Sequence, residues 1–303
     1  MRLMAKTRTK PGKPKAAHPR VTFLEGRGDL PMLEIMTPWS SAEIYLHGAQ
    51  VTHFKKHNEP PLLFLSQCSR FALGEPIRGG IPIIFPWFGK PAGKETQHGF
   101  ARIKDWELKE MAMTPDGTVS VRLQMPEWLD SPDLPDCILE YRVTVNVALT
   151  VELVIMNRSG RDFGFENCLH TYFTVGDVGD LSIVGLKGVD YLDQLAGFAR
   201  KTETRGAIRI SSEVDRIYVD TPNTVEIRDS SLRRTIRVEK EGSASTVVWN
   251  PWIAKSKAMQ DFGDDEYRQM ICVESGNVAA NAVKLPPGQT VRLKLKLTSA
   301  KLK

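Results

Sequence analysis

The stretch from Leu139 to Leu153 decides the fold, and it reads LEYRVTVNVALTVEL. All of its odd-numbered positions are apolar, whereas most of its even-numbered positions carry a charged or polar side chain. Alternation with a period of two is typical of a β-strand with one buried and one solvated face. The stretch therefore predicts two strands of a half-buried antiparallel sheet, joined by a tight turn near Asn146–Ala148.

Similar alternation continues on both sides, in short segments separated by Gly, Pro, Asn and Asp. No long stretch shows the period of 3.6 that marks a helix. This density of strands indicates an all-β protein, a large antiparallel β-sandwich, with residues 21–303 as a single domain. The other predicted strands are Val21–Glu25, Leu33–Met36, Ala42–His47, Val51–Lys55, Pro61–Leu65, Trp106–Met111, Thr118–Met125, Leu181–Val184, Ala207–Ser211, Arg216–Val219, Thr224–Arg228, Thr235–Lys240, Thr246–Trp249, Met270–Val273 and Val291–Leu297.

Residues 1–20 differ in composition from the rest of the chain. They contain seven Lys or Arg residues and no acidic residue, so subtracting them from the net charge of +5 leaves −2 for the remainder. Because this segment is Pro-rich and poor in apolar residues, we expect it to be a disordered, solvated basic tail. Nucleic-acid binding through the tail is the less favoured alternative, so nucleic acid is not an expected partner.

The composition is ordinary for a soluble globular protein, with 41% hydrophobic and 25% charged residues. No apolar run approaches the roughly 18 residues of a membrane-spanning helix, and no signal-peptide core is present near the start. We therefore expect a cytoplasmic protein with no membrane partner. The four cysteines form no C-x-x-C pair, which predicts reduced thiols, mostly buried in strands, without a disulfide framework or a metal site.

A second stretch, FGFENCLHTYF at Phe163–Phe173, carries the first candidate catalytic residue. With a period of two, its phenylalanine and leucine side chains lie on one face and Glu166, Cys168, His170 and Tyr172 on the other. The second face is too polar for a core and too aromatic for a solvated surface, so it predicts the floor of a small-molecule cleft. The alternative is a structural histidine that its neighbours satisfy.

Three further segments carry side chains suited to binding or catalysis. The pair Gly79-Gly80 lets backbone approach a ligand closely, while Arg78 can present its guanidinium to a carboxylate or phosphate. The loop Gln97–Arg102 adds an amide, the His98 imidazole and a second guanidinium. Glu274 ends an apolar strand, where partial desolvation raises the pKa of a carboxyl towards that of a useful general base. The alternatives are a surface arginine on a glycine turn and a solvent-exposed glutamate.

Some aromatic residues and short motifs are ambiguous. Four aromatic side chains could stack on a sugar ring or could belong to the core. The triplet Asp261-Phe262-Gly263 is spelled like the magnesium motif of kinases, but no nucleotide-binding loop accompanies it, so we assign it no function. The four aromatic candidates are Trp87, Phe88, Trp249 and Trp252.

Five motifs occur in an order and spacing that cover nearly all of residues 21–300: RGGIP with FPWFG at 78–89, QHGFAR at 97–102, LHTYF at 169–173, VVWNPW at 247–252 and ICVE at 271–274. Together they resemble the glucose-6-phosphate 1-epimerase family, the hexose-6-phosphate mutarotases of the galactose mutarotase-like superfamily. The resemblance implies a β-supersandwich fold and no cofactor. Ser275 is a departure, since many members of the family carry Pro or another small residue after the glutamate. The basic tail lies outside the resemblance.

By motif position, the resemblance makes His170 the catalytic acid and Glu274 the catalytic base. It also implies a substrate site that holds the phosphate through Arg78 and Arg102 with His98 nearby, and the sugar through Asp193. The substrate-binding residues predicted in total are Arg78, Gln97, His98, Arg102, Asp193 and Trp249.

The expected reaction is interconversion of the α and β anomers of an aldohexose 6-phosphate, such as glucose 6-phosphate, by a monomer. Glu274 takes the proton of the C1 hydroxyl and His170 protonates the ring oxygen, each contributing about 10²–10⁴-fold as an acid or base. Two alternatives stay open. One is a mutarotase of unphosphorylated aldoses, and the other is a non-catalytic hexose-phosphate-binding protein.

Overall fold

The computed structural model describes residues 18–126 and 135–302. Most of the predicted basic tail lies outside the described residues, and Arg20, its last residue, begins the first strand. The described chain consists of β-strands, short 3-10 turns and one short α-helix, α1 (Trp252–Ala258). Within these ranges, none of the helices has the length and apolar character to cross a bilayer.

The strands follow one another closely along the chain. The first half contributes β1 (Arg20–Glu25), β2 (Pro31–Met36), β3 (Ser40–Tyr45), β4 (Gln50–Lys56), β5 (Ile83–Ile84), β6 (Glu107–Met113), β7 (Val119–Gln124), β8 (Cys137–Val145) and β9 (Leu149–Asn157). The second half contributes β10 (Phe163–Phe165), β11 (Asn167–Leu169), β12 (Tyr172–Thr174), β13 (Leu181–Val184), β14 (Asp190–Asp193), β15 (Ala199–Thr202), β16 (Ala207–Ile208), β17 (Val214–Val219), β18 (Thr224–Asp229), β19 (Arg234–Glu241), β20 (Ser245–Asn250), β21 (Met270–Asn277), β22 (Val283–Leu285) and β23 (Thr290–Lys301).

Two large antiparallel sheets dominate the described chain. The nine-stranded sheet has the order β16-β13-β18-β19-β23-β9-β8-β7-β6. The eight-stranded sheet has the order β15-β14-β17-β20-β21-β11-β5, with β12 also paired to β21. Strands β1–β4 form a sheet of their own, and β10 pairs with β22. One core cluster contains buried residues of both large sheets, so the predicted all-β sandwich is confirmed.

The alternation at Leu139–Leu153 produces the hairpin β8–β9, as predicted. Val145 pairs with Leu149 at its closed end, and the turn is held by the Ala148 backbone N–H, which donates to Asn146 Oδ1 at 2.8 Å. The apolar positions on the strands are buried, because they face the other sheet. Val147 is the exception, since it lies in the turn and is exposed.

The eight-stranded sheet has a different burial pattern. Every residue of β20 and β21 is buried, because protein covers both faces of these two central strands. The apolar strand predicted at Met270–Val273 is therefore confirmed, and it is covered on both faces. The strand also continues past Glu274 to Asn277, so Glu274 lies inside the strand and not at its end.

Three strand predictions need correction. Residues 61–65 make only isolated bridges, between Leu63 and Phe173 and between Leu65 and Gly79. The strand predicted at Ala207–Ser211 is only two residues long. Residues 163–173 form three short strands, β10, β11 and β12, because they pair in turn with β22 and with two positions of β21.

Candidate active site

A cleft with a volume of about 190 Å³ lies over the eight-stranded sheet. Its floor comes from β17, β20 and β21, and its walls come from loops and from α1. The lining residues are Arg78, Phe88, Gly89, Gln97, His98, His170, Gln194, Asp215, Val247, Trp249, Lys255, Met259 and Glu274. Six of the eight predicted site residues therefore meet at one place, and the two that do not line the cleft are Arg102 and Asp193.

The predicted acid and base are in contact at the floor of this cleft. His170 lies between β11 and β12, and its Nε2 is 3.2 Å from Glu274 Oε1 on β21. Both side chains are buried, with His170 at 5% and Glu274 at 1% exposure. The backbone N–H of His170 donates to the Pro82 carbonyl, which fixes the loop between the two short strands.

Burial and nearby charges shift the pKa values of both groups. Burial, with a contribution from Asp215, raises the pKa of Glu274 well above its ordinary value of 4.5. Burial and the charges of Arg102 and Arg78 lower the pKa of His170 well below 6.5. Both directions favour a neutral arrangement in which the carboxyl holds the proton and the imidazole is uncharged.

Aromatic rings hold the His170 ring in place. It stacks on Tyr172 with ring centroids 4.7 Å apart and planes 11° apart, and it meets the edge of Trp249 at 6.1 Å. Of the four side chains predicted for the floor of the cleft, His170 lines it, while the Cys168 thiol donates to Glu274 Oε2 at 3.5 Å. Glu166 turns elsewhere and accepts from the backbone N–H groups of Phe88 and Ala279.

Arg78 lines the cleft, but much of its guanidinium is already bonded. Its Nε and Nη2 donate to Asp261 Oδ2 at 3.1 and 2.9 Å, and its Nη1 donates to the Tyr172 hydroxyl at 3.0 Å. The Asp261 triplet, which the sequence analysis set aside, therefore supplies the partner of this arginine. The two residues are 183 positions apart, so no local motif could indicate the pair.

Arg102 is placed differently from the prediction. It is buried and does not line the cleft, and its Nη2 donates to the Gln97 carbonyl at 2.9 Å. Its Nε has no hydrogen-bond partner among the described residues, and burial with the charge of Arg78 lowers its pKa to about 10. The two arginines do not project together over one end of the cleft, because only Arg78 reaches the surface of the cleft.

The loop Gln97–Arg102 brings His98 and Gln97 into the cleft wall, as predicted. Gly99 has φ +68°, and a Cβ at this position would lie 1.9 Å from the Phe85 carbonyl oxygen. Only glycine lets the loop pass so close, which explains the glycine of this motif. The His98 ring meets the edge of His170 at 5.6 Å, and burial lowers its pKa well below 6.5.

Asp193, the predicted sugar-binding acid, does not line the cleft. Its Oδ2 is 2.7 Å from Lys201 Nζ. Asp215 on β17 lines the cleft instead, opposite Trp249 in the strand register, and it accepts a hydrogen bond from Gln194. Burial raises the pKa of Asp215 to about 6.

The sequence contained a signal for Asp215 that the analysis missed. The predicted strand began at Arg216, but β17 begins at Val214. With that start, period-two alternation places Asp215 on the same face as Ile217, which packs in a cluster with Cys168 and Val247.

The structure also groups three side chains that could hold a metal ion. The ligand atoms of His170, Cys272 and Glu274 all lie within 4.8 Å of one another, and all three residues are buried. The local spacing of the cysteines predicted no metal site, because Cys272 and His170 are brought together only by the pairing of β12 with β21. The four cysteines are free thiols, of which Cys168 and Cys272 are buried, Cys137 is half-buried and Cys68 is exposed.

Comparison with known proteins defines the class. Residues 31–298 match the family model of aldose 1-epimerase. The chain therefore belongs to the aldose 1-epimerase family and is an epimerase, which confirms the class of enzyme implied by the five motifs. A relative from Cenchrus ciliaris, named "Putative glucose-6-phosphate 1-epimerase", is 39% identical over 268 residues, which are 85% of this chain and 81% of that protein.

Solved structures agree with this assignment. The "putative mutarotase (YeaD)" of Salmonella typhimurium superposes with a TM-score of 0.84 at 29% identity, covering 93% of this chain and 97% of that one. A galactose mutarotase-like protein from Clostridium acetobutylicum has a TM-score of 0.70 at 13% identity, covering 94% and 99% of the two chains. The second comparison shows the shared fold, which is the predicted galactose mutarotase-like supersandwich.

Proposed function

We propose that this protein interconverts the α and β anomers of an aldohexose 6-phosphate, with glucose 6-phosphate as the first substrate to test. One observation carries the proposal. The buried pair of His170 Nε2 and Glu274 Oε1, 3.2 Å apart, lies at the floor of a cleft that Arg78 also lines. The name of the Cenchrus ciliaris relative supports the phosphorylated substrate.

The proposed mechanism needs only the proton that the pair already holds. A shift of this proton from Glu274 to His170 produces the carboxylate and the imidazolium. The carboxylate then takes the proton of the C1 hydroxyl while the imidazolium protonates the ring oxygen, the C1–O5 bond breaks, and the open-chain aldehyde forms. Rotation about C1–C2 and the reverse steps close the ring on the other face. The pair begins and ends with one proton, so the reaction as written requires no cofactor.

Asp215 and Trp249 are suited to holding the sugar above this pair. The Asp215 carboxyl can bond sugar hydroxyls, and the Trp249 ring can pack on the C–H face of a pyranose. Both lie on the same face of the sheet as Glu274, because Asp215 pairs with Trp249 and Trp249 pairs with Cys272. We assign sugar binding to Asp215 and not to Asp193.

Arg78 is the proposed phosphate ligand. A guanidinium has five N–H donors, and the bonds to Asp261 and Tyr172 use three of them. The remaining two can reach a phosphate at this end of the cleft in charge-assisted hydrogen bonds. Arg102, which does not line the cleft, contributes its charge and not a direct contact.

A mutarotase of unphosphorylated aldoses is the second candidate. Two observations favour it: Asp261 neutralises much of the positive charge of Arg78, and Arg102 does not line the cleft. A non-catalytic sugar-phosphate-binding protein is the third reading, and the contact between acid and base argues against it.

One assay separates the three candidates. Anomerisation of glucose 6-phosphate, glucose and galactose is followed by polarimetry, with binding measured in parallel by calorimetry. We expect turnover of glucose 6-phosphate to exceed that of both free sugars. Equal turnover of glucose and glucose 6-phosphate contradicts the phosphate assignment, and binding without turnover contradicts the enzymatic one. A cytoplasmic location and a monomeric state stay predictions.

A further inference from the structure

We propose that His170, Cys272 and Glu274 form a binding site for a thiophilic divalent metal such as Zn²⁺, and that the bound metal blocks the acid–base pair. The binding part of this proposal rests on the geometry of the cluster. The blocking part rests on the proposed function, and the experiment below separates the two.

The donor set suits zinc better than magnesium or calcium. It contains one imidazole nitrogen, one thiol sulfur and one carboxylate oxygen, all on buried side chains. Zinc binds these three donor types, whereas Mg²⁺ and Ca²⁺ prefer oxygen ligands alone. Three protein ligands with an open fourth position is the arrangement of catalytic zinc sites, and here a water or a sugar hydroxyl can take the fourth position.

The distances also suit a tetrahedral ion. Zn–N and Zn–O bonds of about 2.0–2.2 Å and a Zn–S bond of about 2.3 Å place neighbouring ligand atoms about 3.3–3.6 Å apart. His170 Nε2 and Glu274 Oε1 already lie 3.2 Å apart. Since the ligand atoms of the cluster all lie within 4.8 Å, closing around an ion requires side-chain movements of about 1 Å.

Strand geometry explains why Cys272 joins this pair. Residues 272 and 274 are two positions apart on β21, so their side chains leave the same face of the strand. Cys272 pairs with Tyr172 on one side, whose ring stacks on His170, and with Trp249 on the other. The thiol therefore lies below the rings that hold His170. On the other side of the carboxyl, Cys168 donates to Glu274 Oε2 and orients that group.

The charge balance permits a cation despite the two nearby arginines. Binding of Zn²⁺ displaces the Cys272 thiol proton and the proton that His170 and Glu274 share, so two protons leave as two positive charges enter. The ion can enter from the cleft, because His170 and Glu274 both line it. A metal in this position occupies the atoms that the sugar requires, so it must compete with substrate.

The first test measures metal binding without any activity assay. The full chain carrying Cys68→Ser and Cys137→Ser is titrated with Co²⁺, which leaves Cys168 and Cys272 as the remaining thiols. We expect one Co²⁺ per chain, with tetrahedral visible bands and a thiolate charge-transfer band. These bands should disappear when Zn²⁺ is added, and they should be absent when the protein also carries Cys272→Ser. Absence of the thiolate band in this variant overturns the proposal even if Cys272→Ser itself fails to fold.

The second test measures inhibition of anomerisation by buffered Zn²⁺, with Mg²⁺ at the same concentration as a hard-metal control. We expect inhibition competitive with glucose 6-phosphate, and at least about a tenfold higher inhibitory concentration in Cys272→Ser, because losing even an outer partner of a ligand costs 10–100-fold in metal affinity. The matched control Cys137→Ser should match the wild type. Unchanged sensitivity of a folded Cys272→Ser overturns the site. Metal binding in a protein that does not anomerise any sugar leaves the site intact and removes the proposed function instead.

Discussion

The hairpin β8–β9 and the strand pair β20–β21 show two ways to build an antiparallel sheet. In β8–β9, buried apolar residues alternate with partly exposed polar ones, and pairs such as Arg142 with Glu140 and Glu152 lie on the outer face. In β20–β21 every residue is buried, including Glu274. The first arrangement stabilises the fold, and the second places titratable groups where water cannot screen them. We therefore expect substitutions in the two regions to affect different measurements.

The largest expected effect is on turnover, in the buried strand region. Glu274→Gln removes the base and His170→Asn removes the proton donor, so each should lower kcat by about 10²-fold or more. The matched control is Glu152→Gln on β9, whose side chain pairs with Arg142 and Arg292 on the outer face and should leave kcat unchanged. Thermal unfolding checks that all variants are folded. A Glu274→Gln protein that keeps more than about a tenth of the wild-type rate would show that its role is misassigned.

In the hairpin β8–β9 we expect the reverse, a loss of stability without a loss of turnover. Leu153 on β9 is fully buried, and Leu153→Ala should lower the free energy of unfolding by about 2–5 kcal/mol because it removes buried methyl groups and leaves a cavity. Chemical denaturation measures this loss. Below the unfolding transition kcat should stay near the wild-type value. A kcat that falls with stability at low denaturant would mean that the two regions are coupled, contrary to our comparison.

Arg78→Ala sharpens the comparison inside the cleft. Losing a charge-assisted contact worth about 1.5–3 kcal/mol should raise KM for glucose 6-phosphate about 10- to 150-fold, while activity on free glucose hardly changes. Arg78→Lys should rescue only part of the loss, since it keeps the charge without the planar fork.

Arg102→Ala is the companion variant. Because Arg102 is buried and bonds the Gln97 carbonyl, we expect it to lower stability more than it raises KM. Arg78→Ala that slows glucose and glucose 6-phosphate equally would count against the phosphate role. Asp261→Asn tests the partner of Arg78 and should move KM while leaving kcat on free glucose unchanged.

A smaller effect is expected on the pH dependence. The pair is active with one proton, so activity should fall at acid pH where a second proton enters and at alkaline pH where the shared proton leaves. Burial, Arg102 and Arg78 lower the pKa of His170, which places the acid limb below pH 6.5. Removing the cation in Arg78→Ala relieves repulsion of the imidazolium, so the acid limb should move to higher pH. Arg78→Lys keeps the charge and should leave it in place, and an identical shift in both variants would contradict this account.

The smallest effect is expected on the outer face of the nine-stranded sheet. Arg142→Ala removes the contacts with Glu140 and Glu152, but solvent reaches these side chains and screens the charges. We expect a change below about 1 kcal/mol in the free energy of unfolding and no change in kcat or KM. A loss as large as that of Leu153→Ala would show that the outer charges support the sheet more than the comparison allows.

The sequence by itself determined most of the strands and their buried faces. Alternation is local, so LEYRVTVNVALTVEL predicts the hairpin and its turn wherever the chain places it. The motifs that contain His170 and Glu274 are also local, because each spans only a few consecutive residues. The predictions that Glu166 faces the cleft and that residues 61–65 form a strand were wrong. Pairing partners, and not propensity, set the orientation of those segments.

Only the tertiary structure decided which distant side chains meet. Arg78 is bonded to Asp261 and Arg102 to the Gln97 carbonyl, while Asp215 lines the cleft where Asp193 was expected. Cys272 joins His170 and Glu274 in the same way. No periodic pattern encodes these contacts, because they depend on strand order and register across a sheet whose neighbours are up to about a hundred residues apart, as for Leu169 and Ser275. A two-residue error in a strand start, Arg216 in place of Val214, was enough to leave Asp215 outside the predicted strand and so to hide its place in the cleft.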